Sequence, residues 1–510
     1  MGNLYKVNES LFYAKNKYVD LNPFLTMTPE DRPLPIYEEI KDRLPQPVWE
    51  GHSDVIACYH KTWEIAFRNL RRPNAEAGFV SNFIDTAFNG YLFMWDSSFI
   101  VMFGRYANHI FNFQKTLDNF YSHQHADGFI CREICETQNG EQFHRDDPAS
   151  TGPNIMPWSE WEYYQITGEK ARLKKIFYPL LAYHKWLQLN RTWRDGSYWS
   201  TGLACGMDNQ PRVQEGYSEH TSHGHAVWVD TCIHMVMSAR ILIEMGKIIG
   251  TEKDTDWLYE EAERLTKLIN EKLWCEEDAF YYDLWRGDVL SRVKSIGAYW
   301  ALLAGIVPEE RLERFVAHLE NPAEFNRFHR IPTLSADHPA YDAEGGYWRG
   351  SVWAPTNYMV LKGLEKVGKY RMAYEIAENH LRNVVEVFRN TGTVWENYAP
   401  EKAVPGNPAK SDFVGWTGLT PIAVLFEYVF GIRADSRKNQ ITWDVNRTER
   451  HGVQNYPFRG GTVDLLCEKR SAAEQEPQIT VRSDIPVTVI VRWNGEEKTL
   501  HSMTEGKETV

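Results

Sequence analysis

The sequence predicts a mainly α fold: a closed ring of helical hairpins followed by a small β domain. Three observations carry that prediction. Segments with helical periodicity follow one another from about residue 60 to 432, several of them in pairs. No repeat motif of the tetratricopeptide or ankyrin kind recurs among those pairs, so they are expected to close on themselves rather than stack as an open array. Beyond residue 435 the apolar period drops to two. The chain's 510 residues exceed one ordinary domain, yet a barrel can gather several hundred residues around one core.

Residues 1–50 read as an N-terminal arm, proline-rich and weakly periodic (LNPFLTMTPEDRPLPIYEEIKDRLPQP). Residues 51–435 form the helical body. Helical patterns are expected near 60–71, 105–121, 159–167, 172–189, 228–248, 255–273, 294–305, 309–319, 353–366, 371–389 and 416–430. In the 371–389 segment, Ile376, Ala377, Leu381, Val384, Val385 and Phe388 share one side, with charges opposite. Thr255 or Asp254 is placed to accept the free amide hydrogens of the helix that follows. Residues 436–510 read as a small β-rich domain from QITWDV, GTVDLLC, QITVRS and VTVIVRW, with Asn494-Gly495 as a hairpin turn.

Composition narrows the function. The formal charge of −13 and the lack of a basic stripe argue against nucleic acid as a partner. The opening MGNLYKVNES lacks the basic and apolar regions of a secretory leader, and no run approaches a membrane span, so a cytoplasmic location without membrane partners is expected. Seven scattered cysteines do not form a disulfide framework. Cys131 and Cys135 fit one helix face, but no second close pair completes a zinc site. Aromatic residues make up 14% of the chain, with 19 tryptophans and 26 tyrosines, side chains that join a large apolar face to one polar atom and suit stacking on sugars.

The informative residues fall in what read as connections between helices: FMWDSSF (93–99), DGFICRE (127–133), NIMPWSEW (154–161), GMDNQPR (206–212), YWRGSVWAPTNY (347–358), VWENY (394–398) and FVGWTG (413–418). Most couple tryptophan, tyrosine or another ring to charged or amide groups; FVGWTG offers its rings with a threonine, and GMDNQPR sets a carboxylate among amides. Together they describe a cleft that stacks on a polyhydroxylated ring and hydrogen-bonds its hydroxyls. Asp208 and Glu396 stand in settings suited to acid and base work, because breaking a glycosidic bond needs a proton for the leaving oxygen and a base or nucleophile on the opposite face. A cleft crowded with aromatics would desolvate one carboxyl and keep it protonated near neutrality. Spacing alone does not single out these two among 69 acidic residues.

Those motifs, in this order from about 93 to 418, resemble the clan of (α/α)6-barrel inverting glycosidases formed by glycoside hydrolase families 63 and 37, the trehalase-like six-hairpin enzymes. The resemblance implies an (α/α)6 barrel, hydrolysis of α-glycosides without a cofactor, Asp208 as general acid and Glu396 as general base. Their carboxyls would then stand roughly 6.5 to 9.5 Å apart, leaving room for a water. It further implies a sugar site that draws on Trp95, Asp96, Trp348, Arg349, Trp353, Asn357 and Trp416, with Arg132, Trp158, Asn209 and Arg212 on neighbouring motif positions. Where relatives often carry glutamate and serine before the glycine, this chain has Ala204 and Cys205, which bears on the sugar beside the cleavage point. The larger members' N-terminal β-sandwich is replaced by the arm, so a short oligosaccharide or small glycoside is the expected substrate, glucosides first. No metal is expected: His220, His223 and His225 in EHTSHGH fall in a loop without a companion acid or cysteine motif. A structural calcium held by loop oxygens leaves no signature readable at this level, and oligomeric state leaves none either. A glycoside phosphorylase and a non-catalytic sugar-binding protein on the same barrel are the rival readings.

Overall fold

The computed structural model describes residues 15–86, 89–137 and 140–502. The first 14 residues of the expected arm and the last eight of the expected β domain lie outside the described residues.

The molecule is mainly helical. Six helical segments form its centre, and their contacts run in a cycle: Met94–Gly104 packs on Met156–Thr167, that on Val229–Ile249, then Trp300–Ala304, Ala354–Lys366 and Thr420–Val429, which returns to Met94–Gly104. All eleven residues of Met94–Gly104 and all ten of Thr420–Val429 are buried. Helices buried on every side, their polar groups such as Ser98 and Glu427 bonded internally, have no face to give to water and belong at the centre of a large core. A second set packs outside these: Ser53–Arg68, Lys170–Asn190, Asp256–Leu268 and Tyr370–Thr391. Tyr370–Thr391 has the amphipathic character that the spacing predicts, burying Ile376, Ala377, Leu381, Val384 and Val385. It ends where Gly392 takes φ +75° and gives its N–H to the Phe388 carbonyl at 2.7 Å, a left-handed stop that glycine adopts at little cost.

Four local expectations are corrected. The stretch 105–121 is not one helix but short turns at Arg105–Ala107 and Phe113–Leu117, followed by Asp118–Ser122. The helix lies just before it, at Met94–Gly104, where buried Asp96, Ser97 and Ser98 are consecutive and the rest is apolar, so no polar face marks a helical period; FMWDSSF is therefore a helix start and not a connection, and MPWSEW likewise opens the helix Met156–Thr167. Thr255 does not cap its helix: a 3-10 turn, Glu252–Thr255, leads in, and the Thr255 hydroxyl donates to the Glu252 carbonyl at 2.7 Å. Cys135 lies on the strand Glu133–Cys135, so it shares no helix face with Cys131.

The C-terminal region forms two four-stranded sheets. One orders Ile432–Asp435, Gln440–Asp444, Val487–Trp493 and Glu496–Ser502; the other orders Gln46–Trp49, His451–Phe458, Gly461–Cys467 and Ile479–Ser483. The hairpin at Asn494-Gly495 is as expected, with Trp493 opposite Glu496 and φ of +43° and +84° at the two turn residues. Strand Gln46–Trp49 pairs antiparallel with His451–Phe458, so the end of the arm is hydrogen-bonded into a C-terminal sheet. Among the described residues, no helix is long and apolar enough to cross a membrane.

The two ends of the central helices differ. Segments leading into their N-termini bring Trp95, Asp96, Pro153, Trp348 and Trp416 to one cavity. Farther along the same helices lies a buried ionic network in which Arg105 donates to Glu162 at 2.7 Å and Glu427 at 2.6 Å, and Lys362 sits 3.1 and 3.3 Å from the same two carboxylates.

Candidate active site

The cavity holds about 410 Å3 and is lined by Phe93, Met94, Trp95, Asp96, Arg132, Glu133, Asp208, Tyr347, Trp348, Glu396, Lys410, Phe413 and Trp416, among others. Asp208 and Glu396, 188 positions apart in the chain, therefore face one space.

Asp208 is delivered by a short helical turn, Gly202–Cys205. The Thr201 hydroxyl caps it by accepting from the Ala204 N–H at 3.1 Å, and Gly206 terminates it at φ +77°. A Cβ on Gly206 would stand 2.9 Å from the Trp95 indole, so glycine meets two demands there, the left-handed turn and the close passage of the backbone against the cleft wall. Burial pushes the Asp208 carboxyl up to about 6, against the opposing pull of Arg132 and His220.

Glu396 is fixed from three directions. The Tyr347 hydroxyl donates to Oε1 at 3.0 Å, the Lys410 N–H donates to Oε2 at 3.1 Å, and the Trp416 indole N–H donates to the Glu396 carbonyl at 3.0 Å. Burial raises its carboxyl above the ordinary glutamate value, the two donated hydrogen bonds oppose that shift, and the negative charge of Asp208 adds to it. Asp96, in the first turn of its helix, is 9% exposed. Burial and then the charges of Glu396 and Asp208 raise its carboxyl well above the ordinary range. Three carboxyls that feel one another in one desolvated space cannot all be charged, so the set retains protons at a pH where isolated acids have lost them.

Of the residues expected from the motifs, Trp95, Asp96, Arg132, Asp208, Trp348, Glu396 and Trp416 line the cavity together. Six others do not. Arg212 is 1% exposed and held by Asp230 and Asp283 at 2.5 to 2.9 Å, a buried ion cluster under the Asp208 loop. Asn209 spans to the facing loop, accepting from the Trp348 N–H at 2.9 Å and donating to the Gly346 carbonyl at 3.0 Å. Arg349 donates to the Asn209 carbonyl at 3.0 Å and pairs with Glu219. Trp353 stacks on the back of Trp348, ring centroids 3.9 Å apart and planes 1° from parallel, and Asn357 is buried one turn below it. Trp158 lies deeper, packed edge-on against Trp300 with its N–H on Glu162 at 3.2 Å. These six hold the wall from behind.

The sequence reading missed Tyr347, Glu133, Lys410 and Phe413 on the cavity surface. Tyr347, Glu133 and Phe413 sit within the motifs, and Lys410 lies three residues before FVGWTG. Tyr347 has φ +65°, a strained value for a ring-bearing residue, and that backbone turns its hydroxyl to Glu396. His223 and His225 pack against Trp193, with ring centroids 5.2 and 6.1 Å from it, and among the described residues no group of three or more histidine, cysteine, aspartate or glutamate side chains is arranged to hold a metal.

Comparison with known proteins gives a consistent setting. The mannosylglycerate hydrolase MGH1-like glycoside hydrolase domain matches residues 90–417. An uncharacterized protein of Borreliella burgdorferi is 25% identical over 385 residues, 73% of this chain and 78% of the relative. A probable mannosyl-oligosaccharide glucosidase of Schizosaccharomyces pombe is 26% identical over 243 residues, 44% of this chain and 29% of the yeast protein. In fold, the chain is similar to the family 63 mannosylglycerate hydrolase of Thermus thermophilus solved with glucose, with a TM-score of 0.58, 20% identity, and coverage of 72% of this chain and 99% of that one.

Proposed function

The chain belongs to the mannosylglycerate hydrolase MGH1-like glycoside hydrolase family, and from that premise we propose that it is an exo-acting α-glycosidase that works with inversion on a short oligosaccharide or small glycoside, glucosides first. Residues 51–435 are its catalytic unit, an (α/α)6 barrel in this reading, carried with the arm and the C-terminal sheets. The cycle of helix contacts supports the barrel. Seven buried free thiols suit a cytoplasmic setting.

In the proposed reaction Asp208, whose carboxyl desolvation holds protonated up to about pH 6, gives its proton to the departing glycosidic oxygen. Glu396, whose ionised form the Tyr347 hydroxyl and the Lys410 amide favour against burial, removes a proton from a water that attacks the anomeric carbon from the other face. Asp96 accepts or donates to sugar hydroxyls, and Trp95, Trp348 and Trp416 wall the ring. The observation that carries the reading is that two acids from distant motifs share one aromatic cavity and act on each other's charge.

Proton NMR of α-linked disaccharides and small glucosides during turnover, with and without phosphate, tests it. A β-anomer as first product, formed without phosphate and abolished in Glu396→Gln, is expected. A first α-anomer sinks inversion, and phosphate-dependent release would make the protein a phosphorylase.

A further inference from the structure

We propose that the leaving-group side of the cleft selects glycosides with an uncharged, hydroxylated aglycone and turns away aglycones bearing a carboxylate, and that Glu133 makes the discrimination. The inference rests on the reading of Asp208 as proton donor, because the donor's side of the cavity is where the departing group stands.

Two consecutive residues of opposite charge dominate that side. Arg132 and Glu133 both line the cavity, with side chains 13% and 15% exposed. Their backbone is pinned: Met94, at the head of its helix, donates to the Arg132 carbonyl at 2.7 Å, and Glu133 pairs with Phe93 across the strands. The Arg132 guanidinium is also fixed. Its Nε donates to the Ala149 carbonyl at 2.7 Å, its plane lies over Phe143 with 4.3 Å to the ring centroid, and one terminal nitrogen is 3.6 Å from a Glu133 oxygen. Both residues are coupled to Asp208: Arg132 is the largest favourable charge on its carboxylate, and burial and then the Asp208 charge raise the Glu133 carboxyl against the pull of Arg132.

The remaining charges do not alter that balance. Asp96 and Glu396 add two carboxyls, Lys410 stands with Glu396 on the base's side, and His220 lies exposed near Asp208. Arg132 is thus the cation of the leaving-group side within the cavity, and Glu133 already answers it. An incoming carboxylate that reaches for the remaining N–H groups of Arg132 is brought beside the Glu133 carboxylate, and two like charges close together in a site of low dielectric repel. Neighbouring hydroxyls meet no such conflict. One can accept from the guanidinium while the next donates to the Glu133 carboxylate, so a polyol or second neutral sugar uses both groups as they stand.

A matched pair of substrates isolates the charge: α-glycosides of glycerol and of glycerate, which differ by CH2OH against COO−, in gluco, manno and galacto forms. kcat/KM is measured on the full chain at low salt and in 0.5 M sodium chloride. The expected result is a preference of at least tenfold for the glycerol member, shrinking with salt as screening requires, and a ratio narrowed severalfold in Glu133→Gln through a relative gain on the glycerate member. Equal or better hydrolysis of the glycerate member by the wild type overturns the inference while leaving the glycosidase reading intact. So does a ratio that neither salt nor Glu133→Gln moves; the salt series needs no variant to fold. No turnover of any member overturns the glycosidase reading and this inference with it.

Discussion

Replacing Asp208 by asparagine should make the protein inactive and, at neutral pH, more stable. The Asp208 carboxyl is pushed up to about 6 in the folded chain, against about 3.9 for an unperturbed aspartate. Folded and unfolded states are both protonated below pH of about 4, where the group contributes nothing to the difference between them. As pH rises from about 4 to about 6 the unfolded state ionises first, and stability is lost. Above that window both are ionised and the loss is constant. Two pKa units correspond to about 3 kcal/mol, which we reduce to about 1–2 kcal/mol because the carboxyl is partly open to the cleft and water screens it. Asparagine keeps the shape and removes the charge. With an unfolding entropy of about 2.1 cal/mol/K per residue, a chain of 510 residues gains about 1–2 °C in Tm from that amount. The assay is thermal unfolding of wild type and Asp208→Asn from pH 4 to 8. The gap should open between pH 4 and 6 and stay level above, while kcat falls by about 10^2 to 10^4, as for loss of a general acid. A variant no more stable than wild type at pH 7, or one retaining a tenth of the activity, would refute the reasoning.

Two further outcomes follow from the same geometry. Tyr347→Phe removes one of the two hydrogen bonds that favour the ionised form of Glu396, so the base should need a higher pH to work. The acid limb of the kcat/KM profile should move upward and kcat fall by about tenfold, while a merely structural role would leave the limb in place. Glu427→Gln takes one carboxylate from the network of Arg105, Lys362 and Glu162 and strands buried cations, so unfolding in denaturant should show a loss of about 3–5 kcal/mol. Product anomer in solution should be unchanged in that variant, since the network sits at the far ends of the helices that carry the cleft.

Legibility differed from residue to residue. Asp208 drew attention because glycine, proline and amides exclude both helix and strand around it, and Glu396 because it sits among tryptophan, asparagine and tyrosine, but only the family resemblance of the motifs gave the two acids their roles. Tyr347 lies within its motif yet could not be assigned, since its contact with Glu396 depends on a positive φ that residue type alone argues against. Arg212 and Trp158 resembled cleft residues by their place in the motifs. Asp230 and Asp283, distant in the chain, draw the arginine behind the wall, and Glu162, one turn on in the same helix, with Trp300 from another, draws the tryptophan inward.

The amino-acid sequence by itself determined the mainly helical body, the switch to β structure and the loops that carry functional groups, because periodicity and turn chemistry are local properties of a chain. It did not mark the helix at Met94–Gly104, since a segment buried on every side has no polar face to set its period. Tertiary structure alone decided which acids share a cavity, which charge answers Arg132, and why Asp208 keeps its proton to a higher pH than an isolated aspartate. Those depend on desolvation and on charges brought together across hundreds of residues, and both come into being only when the chain closes on itself.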